Sequence, residues 1–431
     1  VTLPANIAVS FDFSSGATFG YPFTIGDDKY GIIGVSQLAA STIPIPIVDL
    51  TPNVRNITIN RGRNILSDQY VAGDAVVRVL DPDGAWNPQN TSSPYYPYLV
   101  PLRKLRISAT TATKDAFLFS GYTTEYRYTF PQGQEVGYVD IYCSDAFKLF
   151  NLAQVQTVAD SGAGQSTGTR IGKILDQVGF PSNMRTVATG ESLCQADPAT
   201  LRTSLNALKN VEFSEQGAFY IDGSGTAVFK SRNQVVSSIS GTPIEFNQTT
   251  GIPYKNLVYA FDDKLIINTA NITRVGGTAQ FAQNATSVER YFPHQYSATD
   301  LVIDTDASAL NIARTYVATR AETTIRIDAM TVDLLDPDVP TDTMIALDYF
   351  QNLRITNVGE GGSTIVKTLQ VQGLSWRISP NLVALLGGMT TGLSLRPLLS
   401  FLVLRLILCL WARLTMVEYF CPDSSANQCA P

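Results

Sequence analysis

The sequence predicts a β-rich α+β chain, and three observations carry that prediction. Short apolar runs recur with period two between clusters of Gly, Pro and Asn, the spacing of antiparallel strands joined by turns. Helical spacing appears in only a few stretches, two of them close together in the middle of the chain. Charged residues make up 16%, below the usual value of about a quarter, and Thr, Ser, Asn, Gln and Gly fill the difference. With 431 residues, 45% of them apolar, the chain can build several domains, each with its own core.

Residues 1–45 are rich in Gly, Ser, Pro and aromatics and read as an extended N-terminal arm with short strands and a turn at "TIGDDKYGIIG". A first β domain follows over 46–152. In it Ile57 and Ile59 share a face with Arg55, Arg61 and Arg63, while Asn56, Thr58 and Asn60 point the other way. The runs "AVVRVL" (75–80), "KLRISA" (104–109), "AFLFSGY" (116–122) and "VGYVDIYC" (136–143) extend the pattern, so a closed or nearly closed antiparallel sheet is expected.

An α/β insert spans 153–250. A Gly/Ser-rich linker leads to a helix capped by Thr169, with Ile171, Ile174, Leu175 and Val178 on one stripe and Gly179 at its end. A second helix is expected from Asp197-Pro198, burying Leu201, Leu205 and Leu208. Asp222-Gly223-Ser224-Gly225 reads as the loop of a hairpin over 217–232. The second β domain, 251–385, holds "NLVYAF", "LIINTANITRV", "TTIRIDAMTVDLL", "LRITNV" and "TLQVQGLSWRIS". A helix near 306–320, capped by Asp306 with Leu310, Ala313 and Val317 inward, interrupts it. In the last run Gly373 shifts the phase of alternation, as a β-bulge does.

Several function classes lose support. A net charge of −6 without a Lys/Arg cluster argues against a nucleic-acid surface. The five cysteines form no Cys-x-x-Cys pair and fit neither a disulfide framework nor a zinc site. The N-terminus lacks the basic start and apolar core of a signal peptide. Gly164-Gln165-Ser166-Thr167-Gly168 matches a nucleophile elbow in letters but follows a linker rather than a buried strand, and His294 is the single histidine. Asp81-Pro82-Asp83-Gly84 reads as a tight turn because the oxygen ligands of a calcium loop do not follow it; Asp336 and Asp338 read likewise. The tyrosines between Tyr95 and Tyr98 read as rigid loop packing, with sugar binding as the alternative. No catalytic residue, metal ligand or cofactor is expected. Arg61 and Arg63 are expected to reach the rim of their strand and pair with Asp74, Asp81 or Asp83, or with a neighbouring subunit; Gly62 and Gly73 mark bends or close approaches.

The run from Val48 to Ala109 resembles the N-terminal block of minor tail proteins of long-tailed phages, which are similar to baseplate-hub or tail-tip proteins. Matching pieces are Arg61-Gly62-Arg63, Gly73 before a strand, Asp81-x-x-Gly84 with Pro88, and the "PLRKLR" strand. "LFSGYTTEY", "DIYCSDAFKLFN", "IGKILDQVGFP", "GAFYIDGSGTAVFKSR" and "VQGLSWRIS" follow in the family's order, so the likeness covers about 45–380. It implies two tube-like antiparallel β-barrel domains with the α/β portion inserted, and a homotrimeric ring of pseudo-sixfold symmetry at the virion's tail tip. The implied partners are the distal tail protein, the tape-measure protein and receptor-binding tip proteins, with synthesis in the host cytoplasm. On the same ground Arg61, Gly62, Arg63, Gly73, Asp81, Asp83, Gly84, Trp86, Pro88 and Trp376 are candidates for structural or subunit-interface roles, and no catalytic residue is carried over.

The resemblance stops where a closing strand is due. Residues 386–431 contain "LSLRPLLSFLVLRLILCLWARL" (393–414), read here as an apolar tail produced by a slipped coding frame, with a membrane segment over 393–412 or a buried helix as alternatives. Two other function classes stay open: a membrane-anchored surface adhesin or carbohydrate-binding protein, and a cell-wall hydrolase of the tail tip.

Overall fold

The computed structural model describes residues 4–14, 16–20, 25, 31, 33, 47–64, 68–130, 136–238, 241–323, 326–359, 362, 364–380 and, as backbone only, 399–409. The period-two runs become strands. Val54–Asn64 lies antiparallel to Asp74–Leu80, which pairs with Tyr138–Ser144, and this in turn with the long strand Asp115–Thr129. Alternate residues point inward: Ile57, Ile59, Ala75, Val77, Val79, Val139 and Ile141 are wholly buried in one core. The outward row is mixed, with Val76 and Leu80 beside Asp74, Asn56 and Thr58, and Arg78 forks onto Asp140 at 2.7 and 2.8 Å. Arg55 leaves the inward face because the register shifts between Val54 and Asn56, so it is exposed, contrary to strict alternation.

These strands belong to one 14-stranded sheet rather than two closed tubes. Its path runs from Lys255–Ala260 through Arg326–Asp333, Leu399–Cys409 and Thr364–Pro380 to Val54–Asn64. It continues through Asp74–Leu80, Tyr138–Ser144, Asp115–Thr129, Lys104–Thr110 and Asn6–Asp12 to Ile47–Asp49. Off this path Asn352–Val358 pairs with Thr364–Pro380 and carries Ile244–Asn247, and Gln69–Tyr70 pairs with Val54–Asn64; no pairing among the described residues joins the two ends of the path. The seam between the expected β domains is the ladder of Gly373–Ile378 against Ile57–Gly62. There Trp376 stands opposite Ile59, and both are buried. The expected bulge is present: the register of the Thr364–Pro380 strand shifts between Val371 and Gly373.

Two expectations change at the chain ends. Asn6–Asp12 is one of the short strands expected in the N-terminal arm, and it joins the large sheet between Lys104–Thr110 and Ile47–Asp49, with Val9 and Phe11 in the core. The turn expected near 24–34 lies mostly outside the described residues. The apolar segment supplies a strand rather than a helix: Leu399–Cys409 pairs antiparallel with Arg326–Asp333 on one side and Thr364–Pro380 on the other. Its place in the sheet is that of the closing strand whose absence the sequence suggested. Among the described residues no helix is long and apolar enough to cross a membrane.

The insert has its own core, built from helices Phe147–Leu152, Thr167–Gln177 and Ser204–Glu215 and the hairpin Ala218–Ile221/Ala227–Lys230. The first expected helix is capped by Ser166, which accepts from the Thr169 amide, so Thr169 is the receiver of the cap. The second starts at Ser204, not Asp197. Asp197 instead holds Arg202 and the Ala199 amide, and Leu201 is exposed. A separate three-stranded sheet packs on helix Asp306–Arg320. That helix is capped by Thr305, while Asp306 binds Arg274 at 2.6 Å. Ala313 and Val317 are buried in its core as expected, and Leu310 is half-buried.

Candidate functional site

The Arg61-Gly62-Arg63 strand end is where the large sheet, the insert and the segment after residue 340 meet. Arg61 is buried, because its strand runs beneath the insert's hairpin. Its Nη2 donates to Asp348 Oδ1 at 2.7 Å and its Nη1 to the Leu118 carbonyl at 3.2 Å, with the guanidinium 5.1 Å from the Tyr349 ring centroid. Burial opposes the charge, but Asp348, with Tyr349 and Asp222 behind it, outweighs burial and keeps Arg61 protonated. Arg63 donates to Gln372 Oε1 at 3.3 Å and to the Asp68 carbonyl at 2.7 Å, and it pairs with the Asp68 carboxylate at 2.9 Å. Asp68 also takes Arg320 at 2.6 Å, which ties in the helix Asp306–Arg320. Despite its burial, the two arginines hold the Asp68 carboxyl below the usual carboxylate range.

These partners correct the expected pairing. Asp74 binds the Asn60 amide, and Asp81 is taken by backbone, accepting from Ala85 N at 2.7 Å and Trp86 N at 3.1 Å. The arginines therefore bind inward, to Asp348 and Asp68, and not at the rim. Tyr70 donates to Gln372 at 3.0 Å and packs with Tyr220, Tyr349 and Phe350, one aromatic cluster drawn from three parts of the chain.

Glycines permit this junction. A Cβ on Gly73 would sit 3.0 Å from both Arg61 Cγ and Asp145 Oδ2, which is the close approach expected there. A Cβ on Gly223, at the insert's hairpin tip, would sit 2.1 Å from the Phe117 carbonyl oxygen and 2.8 Å from Arg61 Nη1. Ser120 donates to the Gly223 carbonyl at 3.0 Å, docking the tip on the sheet. Gly62 faces Gly373 in register across the seam. Asp145 accepts from Gly73 N at 2.6 Å and Phe147 N at 2.9 Å, and burial pushes its carboxyl up to about 7.

The other candidates differ in their surroundings. Asp81 organises the turn in which Gly84 has φ +66°, while Asp83 and Pro88 are exposed. Trp86 is buried edge-on to Phe11, with centroids 5.4 Å apart, and Tyr95 stacks on Phe13 at 5.1 Å. Among the described residues no three His, Cys, Asp or Glu side chains gather as metal ligands. Ser166 spends its hydroxyl on the helix cap and Thr169, and His294 meets the Tyr291 carbonyl. Gly168 is required because a Cβ there would lie 1.8 Å from the Ala188 carbonyl oxygen, which gives the elbow-like motif a packing explanation. Sequence reasoning missed Asp348, Asp68, Asp145, Gln372 and Gly223. The sequence around Asp145 carries no signal of its contact with Gly73.

No family model matches the sequence, and no curated protein matches it. The fold does have solved counterparts. The tail protein of Neisseria meningitidis MC58 superposes with a TM-score of 0.53 at 10% identity, over 83% of this chain and 92% of its own. The 43 kDa tail protein of prophage MuSo2 from Shewanella oneidensis does so with a TM-score of 0.53 at 10% identity, over 84% and 95%. Over these lengths the chain has the fold of phage tail proteins.

Proposed function

We propose that this chain is a structural subunit of a phage-type tail, placed at the tail tip as a hub between tube and host-recognition tip, and that it does no bond-making chemistry. The observation that carries the proposal is a fold shared with two tail proteins over 83% and 84% of this chain, with a large branched sheet whose path ends, among the described residues, on two unlike strands. Lys255–Ala260 exposes Val258 and Tyr259 at one end, and Ile47 is exposed at the other. An unpaired strand edge carrying apolar side chains invites another chain. Unlike edges on one copy suit head-to-tail contacts, which close into a ring when the rotation allows. Sister copies therefore join edge to edge in a homotrimer, and the ring faces distal tail, tape-measure and receptor-binding proteins within the virion.

Sedimentation of the full chain tests this: a trimer is expected, and a monomer at every concentration counts against it. The membrane-anchored adhesin has less support, because its anchor would have to come from Leu399–Cys409, a strand paired on both sides. Carbonate-resistant membrane pelleting that depends on residues 393–412 would restore it.

A further inference from the structure

Asn352 and Gln370 stand directly opposite each other on the antiparallel strands Asn352–Val358 and Thr364–Pro380, and both are buried, at 6% and 2% exposed. Cross-strand partners of this kind hold their Cβ atoms about 4.5–5.5 Å apart. The insert's last helix, Arg232–Ser237, ends against them. Carbonyls at a helix C-terminus have no partner within the helix and take donors from elsewhere. Here the two side-chain amides supply those donors. Gln370 Nε2 donates to the Val235 carbonyl at 3.3 Å and to Ser238 Oγ at 2.7 Å. Asn352 Nδ2 donates to the Ser238 carbonyl at 2.6 Å and to the Gly241 carbonyl at 3.2 Å. Both amide nitrogens therefore converge on one residue, Ser238. These bonds also fix which way each amide faces, because a half-turn of either would set its oxygen against carbonyl oxygens. The acceptor half of each amide is thus locked in place. Among the described residues neither Asn352 Oδ1 nor Gln370 Oε1 has a hydrogen-bond partner, although both oxygens are shut off from solvent. A buried acceptor left unmet is costly, and two side by side call for a donor with two hydrogens.

We propose that Asn352 Oδ1 and Gln370 Oε1 form the binding site of one ordered internal water, which donates a hydrogen to each. The site stands independently of the ring proposed above. Buried waters make about three hydrogen bonds and bridge polar groups that the fold does not pair directly. Two neutral amide oxygens fall well short of the about 6–8 oxygen ligands that a calcium ion takes. Bound there, the water holds both amides in the orientation that caps the helix. The seat of the insert's last helix on the strand pair then includes a solvent molecule as one of its parts.

A crystal structure of the full chain, at a resolution that orders internal water, tests the site, with a second data set from a crystal soaked in a rubidium salt. The expected result is one peak about 2.5–3.0 Å from both oxygens, without anomalous signal after the soak. An anomalous rubidium peak at that position overturns the water in favour of an alkali cation. A peak that reaches one of the two oxygens and not the other overturns the shared site. So does the lack of any peak within hydrogen-bond reach, or a protein donor standing where the water is placed.

Discussion

Replacing Arg61 with methionine tests whether the buried junction holds the large sheet, the insert and the segment around Asp348 together. Methionine keeps much of the stem's volume and removes the donors to Asp348 and to the Leu118 carbonyl, together with the cation over Tyr349. A hydrogen bond to a charged partner contributes about 1.5–3 kcal/mol, and breaking a buried ion pair from one side costs about 3–5. Asp348 keeps 36% of its side-chain exposure, so water can take over part of Arg61's role, and the lower end applies: about 3 kcal/mol. Pairing Arg61→Met with Asp348→Leu should recover most of that loss, because no orphaned carboxylate remains. Denaturant unfolding of the single and double variants gives the cycle. Hydrogen exchange of Ala218–Lys230 should show the hairpin opening first in the single variant. A single variant within about 0.5 kcal/mol of wild type, with the hairpin still protected, would refute the junction's role.

Three further outcomes are expected. The Asp145 carboxyl, at about 7 in the fold and near its ordinary 3.8 when unfolded, contributes stability that is fully present below the unfolded value and lost as pH rises through about 7. Stability should therefore climb as pH falls from 7 toward 4.5, and Asp145→Asn should flatten the slope by one proton; parallel profiles for the two proteins would reject this. Gly223→Ala should destabilise by more than about 2 kcal/mol and Gly73→Ala by about 1–2, whereas Gly172→Ala, in a helix with nothing within 4 Å of its Cβ, should stabilise by up to about 1. A chain ending at Pro380 loses the strand between Arg326–Asp333 and Thr364–Pro380, and should aggregate or expose both neighbours to proteolysis; a soluble, protease-resistant product would contradict that pairing.

Local pattern made much of the architecture legible, and long-range contact hid the rest. Alternation located the strands around Ile57, Val77, Ile107 and Ile141, and Gly373 located the bulge, because period and phase are properties of neighbouring residues. The Asp222–Gly225 hairpin loop was equally readable. Arg61's partner was not, since Asp348 stands 287 positions away and the nearer aspartates Asp74 and Asp81 had the right chemistry. Asp197-Pro198 carried a cap signature, yet tertiary use of the Asp197 carboxylate on Arg202 moved the helix start to Ser204. An unbroken apolar run cannot be assigned to strand or helix from periodicity, so the pairing of Leu399–Cys409 is visible only in the fold. The closed or nearly closed sheet expected from strand number and turn spacing has no pairing between the ends of its path among the described residues, and no sequence pattern shows where a sheet ends.

On the proposed function, sister copies cover the unpaired strand edges at the ends of the sheet. Sedimentation equilibrium of the full 46.8 kDa chain over a wide concentration range tests it most directly. A species of three times that mass, forming reversibly or already complete, is the predicted result. A single 46.8 kDa particle at the highest attainable concentration would contradict it.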